Sequence, residues 1–358
     1  MTASDNTESS YPPLFRPNHG GAETGEHHHT PKSARPEPDP YPDSDSLPVI
    51  DFRDTSPSDL GRVCREWGVF RLVNHGIPAA LLSGLHEYAD KVFSLSFETK
   101  RAFPTSPMLY FWGSPALSMS ANAHQQTVGG GGGGGGANCV QNNINWLEGF
   151  NVPLNKTTSD FQMSDSEEAL LQSFRSLLEE YGAHQTRLAK SLFKTMAEDL
   201  NFPPNKSKSY LSPPTGFLRV YRYLRCHMAE QRWGINSHTD SSVISIIHQD
   251  QIGGLQIFNN NKWLDVKPIR DSLIVNLGDM MQAMSDDIYT SVTHRVKVHV
   301  EKERISIGYF VFPDEDAVIE SSNYEPFSYA DFQAKKEIDL KTIGIKIGLP
   351  RFRIDRPV

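Results

Sequence analysis

From Pro213 onward the chain is cut into seven short β-type runs: Phe217–Tyr223, Val243–His248, Leu255–Phe258, Trp263–Val266, Leu273–Leu277, Val292–Val298 and Ile305–Phe312. Gly, Asn, Asp and Pro punctuate them. A segment interrupted this often leaves no room for long helices. Its strands must pair with distant partners, and the pattern predicts an all-β sandwich or barrel. Aromatic residues are plentiful (19 Phe, 12 Tyr, 5 Trp), which suits a packed β-rich interior.

The upstream half reads differently. Residues 1–46 are rich in Pro, Ser, Asp, Gly and His without apolar periodicity, and are expected to form a disordered leader. His27, His28 and His29 lie within it and are read as a compositional accident. Order is expected from Leu47–Phe52, a β-type run. A helix follows over Pro57–Trp67, with Ser56 as N-cap, Pro57 in the first position and Asp59 in the first turn. Val69–Val73 alternates like a strand, Asn74–Pro78 is a turn, and Pro78 to about Lys100 is amphipathic. Residues 105–145 are irregular. They include eight consecutive glycines, Gly129–Gly136, with no P-loop Lys or Ser behind them, read as a flexible loop insertion. Between Asp165 and Asn201, the residues Leu170, Leu171, Phe174, Leu177, Leu178 and Tyr181 fall on one face of a long helix. The expected organisation is a leader (1–46), a mostly helical region (47–210), a β-core (211–320) and a C-terminal helical segment with a tail (321–358), together forming one catalytic unit.

Charge and cysteine usage exclude several classes. The formal net charge is −8 with no basic block, which argues against a nucleic-acid partner. Three cysteines, Cys64, Cys139 and Cys226, form no CxxC pair, so neither a disulfide framework nor a zinc ribbon is expected. No apolar run reaches the ~20 residues of a membrane helix, and no secretory signal is evident. The expectation is a cytoplasmic protein, with the nucleus as a second location, acting as a monomer on a small molecule.

The segment Asn236-Ser-His-Thr-Asp-Ser241 carries the chemistry. In an extended chain residues i and i+2 share a face, so His238 and Asp240 can both aim into a β-core. His294, 56 residues on in another strand-like run, supplies a third group. Two imidazoles and one carboxylate leave metal positions open for a co-substrate and dioxygen, the arrangement of non-haem Fe(II) oxygenases. Alone, an HxD triplet is weak, because a core histidine is more often simply packed and hydrogen-bonded. Ten residues after His294 comes Arg304-Ile-Ser306, again with both polar side chains on one face. A guanidinium fork with a neighbouring hydroxyl can hold the far carboxylate of 2-oxoglutarate. HxD, a distant His and RxS in that order are much harder to meet by accident than any one of them.

These residues resemble a family. His238-Thr-Asp240, Gly253-Gly-Leu-Gln256, Asn276-Leu-Gly-Asp279, Ser291-Val-Thr-His-Arg295 and Arg304-Ile-Ser306 are similar in kind and order to the plant 2-oxoglutarate and Fe(II)-dependent dioxygenases. Leu47-Pro-Val-Ile-Asp51, Trp67-Gly-Val-Phe-Arg-Leu-Val-Asn-His-Gly76 and Gly348-Leu-Pro-Arg-Phe352 extend the resemblance to about residues 47–353. It implies a mainly β, α+β fold: a double-stranded β-helix (jelly-roll) core with a helical N-terminal region. It further implies His238, Asp240 and His294 as iron ligands, with Arg304, Ser306 and Tyr223 holding 2-oxoglutarate, and no catalytic residue beyond the metal site. Dioxygen would be the second co-substrate and ascorbate a supporting reductant. The sequence departs from the family at Tyr221, where many members have Asn, and at Tyr223-Leu-Arg-Cys226 in place of Tyr-Pro-x-Cys.

Within that family, Tyr110-Phe-Trp-Gly-Ser-Pro-Ala116, Asn145-Trp-Leu-Glu-Gly-Phe150 and Ile247-His-Gln-Asp-Gln-Ile-Gly-Gly-Leu-Gln256 resemble gibberellin 2-oxidases, especially those acting on twenty-carbon precursors. The implied activity is 2-oxidation of a gibberellin, a step of plant hormone inactivation. Trp112, Trp146 and Phe150 are candidate substrate-pocket residues. A substrate carboxylate would need a cation, for which Arg219, Arg222 and Arg225 are candidates. The competing readings are a dioxygenase for another gibberellin step or another plant metabolite, a catalytically silent jelly-roll binding protein, and a zinc hydrolase on the same three ligands. The last would leave Arg304 and Ser306 without a purpose.

Overall fold

The computed structural model describes residues 9–16, 47–102, 108–113, 144–154, 165–227, 229 and 232–354. His27–His29, the Gly129–Gly136 run and Cys139 lie outside the described residues. In chain order the elements are β1 (Val49–Asp51), α1 (Pro57–Glu66), β2 (Val69–Val73), α2 (Ala79–Phe93), α3 (Phe97–Ala102), β3 (Leu109–Trp112), β4 (Leu147–Pro153), α4 (Asp165–Asp199), α5 (Pro204–Ser209) and β5 (Ser212–Tyr223). Then follow β6 (Trp233–His238), β7 (Ile244–Gln249), β8 (Leu255–Asn259), β9 (Lys262–Asp265), β10 (Leu273–Leu277), α6 (Asp279–Met284), β11 (His294–Lys297), β12 (Arg304–Phe312), β13 (Val318–Ile319), β14 (Phe327–Ser328) and α7 (Tyr329–Thr342).

Strands β1-β2-β10-β7-β12-β5-β4-β3 form one sheet, and β6-β11-β8-β9 a second. The period of two along each strand decides what each face does. On β12, Ile305, Ile307, Tyr309 and Val311 join the large apolar core shared with helices α1, α2 and α4, whereas Phe310 and Phe312 join a second core. That second core also takes Val69 and Ile274 from the large sheet and Ile235, Leu255, Ile257 and Val296 from the small one. The two sheets therefore face each other across it, as in a jelly roll.

Local chemistry sets the helix ends. Ser56 Oγ accepts the Asp59 amide (3.1 Å), capping α1 as its sequence predicts. The amphipathic run expected from Pro78 to Lys100 is two helices, because Ser96 Oγ caps a new start by accepting the Thr99 amide (3.0 Å). Besides its helices, the region 47–210 supplies β1 to β4, which complete the large sheet on both sides of the core strands.

The expected leader is structured in part. Tyr11 and Phe15 are buried, and Phe15 packs against Trp146 (centroids 4.5 Å) and Trp112 (5.8 Å). Lys100 Nζ donates to the Ser10 carbonyl (2.7 Å), and the Tyr11 hydroxyl bonds Glu303. This segment lies over a buried ionic cluster in which Glu148 pairs with Lys100 (2.9 Å) and Arg222 (2.5 Å) and accepts the Tyr110 hydroxyl. Burial pushes Lys100 down to about 8 against the pull of Glu148. Arg222 thus points to the helix side of the sheet and is committed to Glu148 and Glu303, which removes it as a candidate for substrate recognition.

Candidate metal and co-substrate site

His238 ends β6 and His294 begins β11, and the two are directly opposed in the antiparallel register. Their ring centroids are 4.2 Å apart. The sequence reading places Asp240 on the same strand as His238; instead β6 stops at His238, and Asp240 sits in the turn beyond it. The turn still brings its carboxylate inward: Asp240 Oδ1 is 3.7 Å from Nε2 of both His238 and His294. One donor atom from each of the three residues falls within 4.8 Å of the others, the only such group among the described residues.

The imidazoles are oriented from behind. His238 Nδ1 faces the Asn236 carbonyl at 2.7 Å and His294 Nδ1 the Val292 carbonyl at 3.2 Å. A carbonyl only accepts, so Nδ1 carries the proton and the Nε2 lone pair points to the shared centre. Burial pushes His238 down to about 3, with His294 adding to the effect. Burial alone would raise the Asp240 carboxyl, but His294, His238, Ser245 and Asn276 bring it below the usual carboxylate range. At neutral pH His238 is neutral and Asp240 anionic, the protonation states that binding a divalent cation requires. Asn276 Nδ2 donates to Asp240 Oδ2 (2.8 Å), and the Asp279 amide donates to the Asp240 carbonyl (2.8 Å). From the C-terminal segment, Lys346 Nζ reaches the Thr239 carbonyl (2.6 Å), Thr239 Oγ1 (2.9 Å) and Asp279 Oδ2 (2.8 Å). The turn between the two ligand candidates is thereby pinned.

Arg304 on β12 is paired in register with Tyr223 on β5. Its guanidinium lies 4.7 Å over the Tyr223 ring and donates from Nη2 to Gln249 Oε1 (2.8 Å) and from Nη1 to Ser306 Oγ (3.4 Å). Ser306 Oγ in turn reaches the Tyr223 hydroxyl at 3.5 Å. Arg304 is 3 % exposed, yet its Nε has no hydrogen-bond partner and no carboxylate pairs with it among the described residues. A buried guanidinium left this way can receive an anion. One dicarboxylate can satisfy both ends of the site, so the residues fit Fe(II) and 2-oxoglutarate together.

Both polar groups line a single cavity between the sheets. Its walls are Val69, Ile247, Leu255, Ile257, Ile274 and Val296, with Phe310, Ile235 and Tyr221 completing the lining. Tyr221, where the family often has Asn, is buried here and its phenol is pushed above the usual range by burial. All six residues expected at the metal and co-substrate positions face this cavity.

The expected substrate-pocket residues do not. Phe150 is fully buried on the helix side of β4 against Phe93 (5.2 Å), and Trp112 and Trp146 enclose Phe15. The reason is parity: on β3 and β4 it is Phe111 and Leu147 that join the core between the sheets. Gln249, Asn276 and Lys346 were not anticipated as supports. Asn276 and Gln249 lay within family motifs, but Lys346 carries no local signal.

Residues 214–313 match the model of the 2OG-Fe(II) oxygenase superfamily, and residues 47–160 that of the non-haem dioxygenase in morphine synthesis N-terminal family. Among curated proteins, the chain is 33 % identical over 321 residues to gibberellin 2-beta-dioxygenase 8 of Arabidopsis thaliana, covering 86 % of each chain. It is 32 % identical to gibberellin 2-beta-dioxygenase 5 of Oryza sativa subsp. japonica, covering 87 % of this chain and 89 % of that one. Among solved structures, JOX2 in complex with 2OG, Fe and JA superposes with a TM-score of 0.67 at 22 % identity, covering 86 % of this chain and 89 % of that one. The dioxygenase for auxin oxidation in rice superposes with a TM-score of 0.64 at 19 % identity, covering 86 % and 100 %. At these identities the structural likeness bears on the jelly-roll fold.

Proposed function

The chain belongs to the 2OG-Fe(II) oxygenase superfamily and is an Fe(II)- and 2-oxoglutarate-dependent dioxygenase, and from that premise we propose that it hydroxylates a gibberellin, in a 2-oxidation that inactivates the hormone. The observation that carries the site assignment is one buried, apolar-walled cavity holding the His–Asp–His cluster together with an unsatisfied arginine. The relatives named for gibberellin 2-oxidation, at 33 % and 32 % identity over most of the chain, support the substrate.

In this reading His238, Asp240 and His294 hold Fe(II) through Nε2, a carboxylate oxygen and Nε2. Arg304, Ser306 and Tyr223 hold the far carboxylate of 2-oxoglutarate. Iron and 2-oxoglutarate supply the oxidising power: dioxygen is consumed, 2-oxoglutarate becomes succinate and carbon dioxide, and one C–H bond of the substrate becomes C–OH. The protein's share is geometric. The Asn236 and Val292 carbonyls fix the imidazoles, Asn276 fixes the carboxylate, and the apolar walls exclude water from the reacting carbon. Among the described residues no helix is long and apolar enough to cross a membrane, and we place the enzyme in the cytoplasm or nucleus as a monomer.

The test is purified protein with Fe(II), ascorbate, 2-oxoglutarate and a gibberellin panel, with succinate and products read by mass spectrometry. Succinate formed in step with a hydroxylated gibberellin is the expected result. Succinate coupled to a different plant metabolite would keep the dioxygenase and overturn the gibberellin assignment.

A further inference from the structure

Residues 9–16 pack where two strands carry the residues assigned to 2-oxoglutarate. Pro13–Phe15 is a single 3₁₀ turn, and Arg16 Nε closes the segment on itself by donating to the Tyr11 carbonyl (3.0 Å). Two aromatic rings anchor it. Tyr11 and Phe15 are buried and form a small apolar cluster with buried Leu224. Aromatic side chains bury enough area for two of them to dock a segment this short.

The contacts of this segment fall beside Tyr223 and Arg304. Tyr223 is the last residue of β5 and Leu224 follows it; Arg304 is the first residue of β12 and Glu303 precedes it. The segment holds the neighbour of each. Its rings pack on Leu224, and the Tyr11 hydroxyl donates to Glu303. Glu303 also pairs with Arg222 (3.5 Å), whose guanidinium lies 5.2 Å from the Tyr11 ring. A second route runs through Trp146. Phe15 packs on its ring (4.5 Å), and the Trp146 amide donates to the Trp233 carbonyl (2.8 Å). The next residue, Gly234, lies so close to the Tyr223 ring that a Cβ on it would stand 2.5 Å from Cδ1. Neither Tyr11 nor Phe15 bonds or stacks on His238, Asp240 or His294.

We propose that residues 9–16 form a strap that sets the affinity for 2-oxoglutarate, with Tyr11 and Phe15 as positioning residues. Docked, the strap holds the Tyr223–Leu224 and Glu303–Arg304 corners in place; released, it lets both loosen. The inference rests on the reading of Tyr223 and Arg304 as the 2-oxoglutarate carboxylate site, but not on the gibberellin assignment. A guanidinium fork grips a carboxylate only in a narrow geometry, so a small shift at the start of β12 is enough to weaken it. The coupling is reciprocal. If the docked strap tightens 2-oxoglutarate binding, bound 2-oxoglutarate must hold the strap down by the same factor.

The test uses the full chain loaded with Mn(II), without oxygen, and reads binding rather than turnover. Phe15→Ala removes an anchor; Tyr11→Phe keeps the ring, and with it the fold, and removes only the bond to Glu303. Phe15→Ala should raise the Kd for 2-oxoglutarate about fivefold or more and leave Mn(II) affinity unchanged, with Tyr11→Phe moving it less in the same direction. Hydrogen exchange of the parent supplies the reciprocal measurement. The Phe15 amide donates to the Pro12 carbonyl (2.9 Å), and its exchange should slow by a similar factor when 2-oxoglutarate is added. Unchanged 2-oxoglutarate affinity in both variants, or exchange indifferent to 2-oxoglutarate, would overturn the strap. So would a parallel loss of Mn(II) and 2-oxoglutarate affinity in Phe15→Ala with Tyr11→Phe matching the parent, since that is a general brace. A parent that binds Mn(II) but no 2-oxoglutarate would instead remove the co-substrate reading, and the strap proposal with it.

Discussion

His294 Nε2 and His238 Nε2 each stand 3.7 Å from the same oxygen of Asp240, although the two histidines are on different strands. No hydrogen bond between the imidazoles and the carboxylate closes the gap, and both Nδ1 atoms are already engaged by carbonyls. A cation completes this arrangement. His238→Ala or Asp240→Ala should therefore abolish turnover. Each should also weaken Fe(II) or Co(II) affinity by about tenfold to a hundredfold or more, since even supporting residues cost that much. Equilibrium metal titration with activity assay checks both. Substantial activity in both variants would refute the assignment.

Arg304→Ala should act on a different parameter. Removing a buried guanidinium proposed to hold a dicarboxylate would delete a charge-assisted pair, with an effect of about 2–5 kcal/mol on binding the anion. The KM for 2-oxoglutarate should rise by well over tenfold. Metal affinity should change little, because Arg304 bonds Gln249 and Ser306 and touches none of the three candidate ligands. An unchanged 2-oxoglutarate affinity would count against its role.

The residues legible from sequence are those whose position follows from parity along a strand. His238, His294, Arg304, Ser306 and Tyr223 each lie on β6, β11, β12 or β5, and a two-residue period decides which side they face. Asp240 reached the cavity by a turn instead, and the spacing argument survived only because the turn also points inward. Trp112 and Phe150 were chosen as aromatic residues within resembling motifs, and nothing in the sequence says which face of β3 and β4 meets the cavity. Tyr11 and Phe15 were hidden by the polar composition around them. Lys346 and Thr239 are 107 residues apart, and such a contact has no local signature.

Glu148 anchors the ionic cluster beneath the N-terminal segment. It is fully buried between Lys100 and Arg222, so Glu148→Gln leaves Lys100 without its counter-charge and Arg222 with Glu303 alone. Breaking one partner out of a buried pair costs about 3–5 kcal/mol. The urea midpoint should fall accordingly. Replacing exposed Glu87, which pairs with Lys91 on the surface of α2, should barely move it. Equal effects from the two substitutions would mean that the cluster contributes no more than a surface pair.

Lys336 ties stability to pH through its burial. Its folded-state value is about 7, below the ~10.4 of an unfolded lysine, because burial disfavours the ammonium. Between those values the unfolded chain binds the extra proton, so stability rises with pH through that window. Below about pH 7 the lysine is charged in both states and the full cost of burying it is present. Lys336→Met removes the group, so the variant should be more stable than the parent near pH 7 by a few kcal/mol, of the order implied by a shift of this size. The advantage should shrink as pH approaches 10. Urea unfolding of both proteins from pH 6 to 10, without ligand, measures the difference directly. A constant difference across that range would place the Lys336 ammonium in water.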